Sequence, residues 1–257
     1  MAILVTTLAA FQTAIAAPVA VRYAEGVVHG FLTLHTLSGT HLADGELIQF
    51  AQGSQVTSRL VFHFQDGSIH DETSVYSQRR YFRLITNHLI QKGPTFKQPI
   101  EVWIHRASGR VKVRYEDDGK EKVEEERLDL PSDLANGMFN VLLKNLPPGA
   151  PPHTLSMVAA SPKPRVVKIN LHASREEPFL TGEVTRKAIH YVLEVDIPGL
   201  AGVIAPLVGK KPPDSNVWIL PGETPAFIKS ESLMYADGPL LRMELVSPAW
   251  PSKPPAR

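Results

Sequence analysis

The stretch His63-Phe64-Gln65-Asp66-Gly67-Ser68-Ile69-His70-Asp71-Glu72 sets two imidazoles and a carboxylate around an Asp-Gly pair. Asp-Gly between alternating runs is a strong two-residue hairpin signal, because both turn positions favour positive φ. Such a turn predicts Gln65 opposite Ser68, Phe64 opposite Ile69 and His63 opposite His70. Directly opposed residues bring their Cβ atoms within about 4.5–5.5 Å, and Glu72 follows on the same face. Two histidines and a carboxylate are a workable ligand set for a divalent transition metal. The plainer reading is a solvated hairpin tip, polar outside, with Phe62, Phe64 and Ile69 inside. Ten histidines make a chance pair easy to find. A metal-dependent hydrolase using His63, His70 and Glu72 is therefore the lesser alternative, and no metal is assigned.

Little else in the chain points to catalysis. The remaining histidines have no His-Glu-x-x-His spacing, and His105, His172 and His190 fall on polar faces of strand-like runs. There is neither a Gly-x-Ser-x-Gly elbow nor a phosphate-cradling glycine loop. The chain contains no cysteine, which removes disulfides, thiolate chemistry and Cys-based zinc sites. Lys+Arg 27 against Asp+Glu 26 leaves no broad basic surface for nucleic acid. No cofactor and no enzymatic activity are assigned. Glu121 with Glu124-Glu125-Glu126 reads as a solvated edge strand that discourages sheet-to-sheet pairing.

The elements that would position these side chains are mostly strands. Leu60, Phe62 and Phe64 alternate with polar neighbours. Ile100, Val102 and Ile104 do the same in Lys97–His105, and Ala107-Ser108-Gly109 turns that run into Arg110–Tyr115. Asp118-Gly119 turns again into Glu121–Leu130. Strands resume at Thr154–Ala160, Arg165–His172 and Ala188–Ile197, where Ile189, Tyr191, Leu193, Val195 and Ile197 share one face. Asn216–Leu220, Ala226–Ser232 and Leu240–Val246 close the series. Alternation rather than continuous apolarity favours an antiparallel sheet with one covered face.

Two apolar stretches break the pattern. Pro131–Leu146 reads as a helix that Ser132 or Asp133 caps and Pro147-Pro148 ends, although Gly137 costs it about 1 kcal/mol. Pro198–Gly209 is the second insert. The expected fold is mainly β: a long curved antiparallel sheet or half-barrel, with one or two short helical inserts covering its concave face. A cavity between sheet and inserts would be walled by Leu134, Met138, Phe139, Leu142, Leu200, Val203, Ile204 and Leu207.

Residues 1–16 read as a signal peptide, with Ala2–Phe11 apolar and Ala14-Ile15-Ala16 supplying small residues before a cut. No Lys or Arg precedes Arg22, and a buried N-terminal helix or strand is the other reading. Residues 17–247 form one β-rich domain, and 248–257 a Pro-rich disordered tail. No stretch reaches the roughly 20 apolar residues of a membrane-spanning helix. Export to the periplasm, or secretion, is expected.

Three stretches carry a resemblance. They are Leu130-Pro131 through Pro147-Pro148-Gly149; Tyr191-Val192-Leu193-Glu194-Val195 before the second insert; and Val217-Trp218-Ile219-Leu220-Pro221 with Pro225-Ala226-Phe227-Ile228 and Leu241-Arg242-Met243-Glu244-Leu245-Val246. In this order of elements the chain resembles uncharacterised bacterial envelope proteins of the half-barrel class, built like the lipoprotein localisation factors. The resemblance implies a concave apolar surface that shelters a lipid or acyl chain, and supplies no catalytic residues. The expected role is an exported carrier of an apolar small molecule or lipid. The alternative is a non-catalytic envelope scaffold or assembly module with an envelope protein as partner.

Overall fold

The computed structural model describes residues 15–181, 184–196 and 212–246. The signal-peptide expectation falls almost wholly outside these residues, as do the second insert and the tail. After β1 (Ile15–Ala16), the chain builds β2 (Val28–Thr36), β3 (His41–Gln52), β4 (Gln55–Phe64), β5 (Ile69–Gln78), β6 (Phe82–Lys92), β7 (Ile100–His105), β8 (Arg110–Asp117) and β9 (Lys120–Arg127). Helix α1 (Phe139–Asn145) then precedes β10 (His153–Ala159), β11 (Arg165–Thr181), β12 (Val184–Asp196), β13 (Ser215–Leu220), β14 (Ala226–Leu233) and β15 (Leu240–Val246).

All the strands join one sheet in the order β1-β10-β11-β12-β13-β14-β15-β2-β3-β4-β5-β6-β7-β8-β9. Every neighbouring pair is antiparallel except β1 with β10. After β1, which lies at one edge beside β10, the chain enters the middle of the sheet at β2 and meanders out to β9. It then crosses to the far edge at β10 and returns until β15 pairs with β2. The expected mainly β, antiparallel architecture is the observed one.

The sheet is strongly curled around a hollow. Asn136, in the crossing segment, exchanges side-chain hydrogen bonds with the backbone of Val158 on β10, both at 2.9 Å. Its carbonyl accepts from Ser74 Oγ on β5 at 3.4 Å. Those strands lie nine steps apart in the sheet, about 43 Å if it were flat at roughly 4.8 Å per step. One residue spans them because the crossing chain runs through the hollow. A single apolar core joins Val102 and Val111 from one half to Leu155, Val167 and Ile169 from the other.

The expected helix over 131–146 forms only from Phe139 onward. Gly137 stands at φ 65°, a left-handed conformation that ends any helical run through it. Upstream, the chain instead bonds to β10: Ala135 donates its N–H to the Ser156 carbonyl at 2.8 Å, and Leu134 forms a parallel bridge with Ser156. Asp133 caps nothing; it accepts from Ser156 Oγ at 2.9 Å. The α1 N-cap is Met138, which makes no side-chain capping bond.

The Asp118-Gly119 turn forms as expected, with both residues at positive φ and Asp117 paired with Lys120. Strand β9 is the sheet's last strand, and all its residues are exposed, as its acidic run implies. The run expected over Arg165–His172 continues to Thr181 in β11, and β12 begins at Val184 rather than Ala188; these added residues project beyond the core, with Leu180 at 71% exposure.

Candidate functional site

The hairpin between β4 and β5 decides which side chains enter the hollow. Phe64 donates its N–H to the Ser68 carbonyl, Gly67 donates to the Phe64 carbonyl, and only Gly67 has positive φ, at 84°. This is a three-residue loop with one left-handed position, in place of the expected two-residue turn. Asp66 fixes it by accepting the Ser68 N–H at 2.9 Å and the Thr95 hydroxyl at 2.8 Å. His63 therefore pairs with Ile69, and Phe62 with His70.

A one-residue slip turns every side chain of a strand to the other face. His63 is exposed on the outer face, whereas His70 and Glu72 face inward beside Phe62 and Phe64. The expected His63–His70–Glu72 metal set is thus split across the sheet. Among the described residues no group of three potential ligands gathers to hold a metal ion.

The slip instead builds a polar strip inside the hollow. His70, Glu72 and Ser74 alternate along β5, opposite Gln91, Leu89 and Asn87 of β6. Asn87 Nδ2 donates to Glu72 Oε1 at 2.9 Å and to Ser74 Oγ at 3.0 Å. Gln91 Nε2 lies 3.1 Å from His70 Nδ1 and donates to the Met234 carbonyl at 2.7 Å. With Nδ1 accepting, His70 is the Nε2–H tautomer. Burial lowers its pKa to about 4. Burial also raises the pKa of Glu72, against the Asn87 hydrogen bond, which favours the charged form. A Cβ on Gly137 would stand 2.0 Å from Ser74 Oγ, so only glycine lets the crossing segment lie this close to β5.

Around Glu72 the inner face is incompletely covered. Leu47, Leu60, Glu72 and Leu89 are cross-strand neighbours in one row over β3, β4, β5 and β6, and all four keep partial exposure. Leu245 of β15, also inward-facing, is 43% exposed. The rows on either side are dry: Phe62 and His70 in one, Gln49, Ser58, Ser74 and Asn87 in the other. The leucine row therefore faces inward while staying partly open to solvent.

Leu134, Met138 and Leu142 are between 1% and 3% exposed and belong to the core, while Phe139 is half-buried against it. Leu200, Val203, Ile204 and Leu207 lie outside the described residues. The crossing segment is anchored by buried charge. Lys144 Nζ lies 2.6 Å from Glu25 Oε1, Gln49 donates to Glu25 Oε2 at 2.9 Å, and Tyr76 donates to Gln49 at 3.0 Å. Burial raises the Tyr76 pKa well above the ordinary phenol range.

Two further constellations are structural. Ser156 Oγ donates to Asp133 and accepts from Lys168 Nζ at 2.8 Å, but its 0% exposure bars it as a nucleophile. On the outer face His190 stacks on Trp218 at 4.5 Å, with Lys229 Nζ 4.1 Å from the ring centre. His88, Trp103 and Lys112 repeat that ladder on β6, β7 and β8. His190 faces away from the core as expected, yet Trp218 rather than water covers it.

No protein-family model and no curated protein matches the chain. Among solved structures it is similar to the crystal structure of a beta-barrel-like protein of domain of unknown function DUF1849 from Brucella abortus. The identity is 12% and the TM-score 0.45, over 87% of this chain and 98% of that one. A likeness at that level says nothing about activity.

Proposed function

We propose that this protein binds a ligand with a large apolar part in the hollow of its curled sheet, as a carrier rather than a catalyst. One observation supports the reading above others: Leu47, Leu60 and Leu89 face inward, inside the curl, and remain partly uncovered. Apolar surface left open inside a fold is a binding feature by default. Each ligand methylene buried there contributes about 0.8 kcal/mol before ordering costs. The leader-like residues 1–16 and the resemblance to envelope half-barrel proteins favour an exported protein and a lipid-like cargo.

The test is lipid extraction and native mass spectrometry of the purified protein, followed by uptake of an uncharged fluorescent apolar probe. Wild type should retain or take up ligand, and Leu60→Trp, which fills the open row, should weaken uptake at least tenfold. Empty protein that ignores the probe overturns the reading. A scaffold with a filled interior would then stand, favoured by the fully covered Leu134, Met138 and Leu142 and by Val27, Ile48 and Phe50 exposed outside.

A further inference from the structure

Buried carboxylates in this fold come with a cation. Glu25, 9% exposed, has Lys144 at 2.6 Å, and Asp133, 7% exposed, has Lys168 at 3.8 Å. Half-covered Glu101 has Arg114 at 3.2 Å. Glu72 departs from this rule. Partly exposed on the inner face, it receives one hydrogen bond, from Asn87 to Oε1, and among the described residues no basic side chain pairs with it. Even partial loss of water disfavours a lone carboxylate, and a cation beside it relieves that cost.

Among the described residues the neighbourhood supplies no substitute charge. His70, two residues along the same face and 6% exposed, stays neutral through most of the accessible pH range. With Nδ1 taken by Gln91, it offers one N–H donor. Leu60 and Leu89 stand directly opposite Glu72 on either side, and Leu47 lies beyond Leu60. A single acid is therefore framed by partly exposed leucines, with Asn87 on one oxygen and, among the described residues, no partner on the other.

We infer that the ligand brings the missing charge: an amphiphile with an amine head, whose ammonium pairs with Glu72 while its apolar tail lies over Leu47, Leu60 and Leu89. This rests on the reading of the hollow as a binding site. Ammonium donors match an acceptor-only carboxylate, and a charge-assisted bond in a water-poor setting is stronger than a neutral one. An anionic head would face Glu72 with no cation to receive it. An alcohol would gain the tail contacts and one ordinary hydrogen bond.

Dodecylamine, dodecanol and dodecanoate share a tail and differ only in the head. Their affinities for delipidated full-length protein, by calorimetry and by displacement of an uncharged fluorescent probe, test the inference. At pH 7.5 the amine should bind at least tenfold more tightly than the alcohol, with the carboxylate weakest. Glu72→Gln should erase the amine's advantage over dodecanol, and a urea unfolding transition like the wild type's reports that the variant folds. Lowering the pH should shrink the wild-type preference, because Glu72 takes up its proton. Equal binding of all three, preference for dodecanoate, or an amine advantage that survives Glu72→Gln overturns the amine head and leaves the binding reading standing. Failure of all three ligands and of the uncharged probe overturns both.

Discussion

His70 gives the hollow a pH signature of its own. The unfolded chain takes up a proton on this imidazole near pH 6.5, whereas the folded one does so only near 4. The associated stability is whole above pH 6.5 and is lost as the pH falls from 6.5 towards 4, by about 3 kcal/mol. Urea unfolding of wild type at pH 7.5 and 4.5 should record this loss, and His70→Gln should lack most of it. Glu72 acts with the opposite sign, since its raised folded pKa removes stability as the pH climbs above 4.5. Neither role was legible in the residues. Phe62 and Phe64 read correctly as inward-facing, but the faces of His70 and Glu72 hung on one loop residue. Asp66 bonds the Ser68 N–H and holds a three-residue loop where Asp-Gly spacing signals a two-residue turn. Asn87 and Gln91 belong to a stretch whose polar residues gave no hint that they line the interior.

The crossing segment, Leu128 to Pro152, does the work expected of the first helical insert with less helix. Its apolar stripe was legible: Leu134, Met138 and Leu142 are all inside. Their role was not, because an apolar residue at helical spacing reads the same as core or as cavity wall. The pairing of residues 133–135 with Ser156 was equally hidden, since it depends on a strand that follows the helix. Lys144 fastens this element to the sheet through Glu25. Both side chains are largely buried, so removing the ammonium strands a carboxylate. Lys144→Met should destabilise the protein by about 3–5 kcal/mol, and adding Glu25→Gln should recover most of that. Denaturant unfolding of the single and double variants checks the coupling.

Over the whole molecule, alternation and turn residues made the antiparallel meander legible, but the strand order was not. Nothing local says that β15 pairs with β2, because that contact is set by how far the sheet must curl to hide its inner face. The curl leaves an open edge at β9, where Glu121 and Glu124 to Glu126 keep every residue in water. Replacing Glu124, Glu125 and Glu126 with threonine should make the protein self-associate by edge pairing, visible in light scattering and size-exclusion profiles. The opposite problem arises at the centre of the sheet. Residues 31–36 are stitched to residues 241–246, so the seam joining the two meanders closes last in sequence terms. A ribosome-bound chain would carry β2 with a bare, sticky flank until residues 241–246 had emerged. Maturation of this protein is thus bound to delay, and to whatever keeps that flank occupied in the meantime.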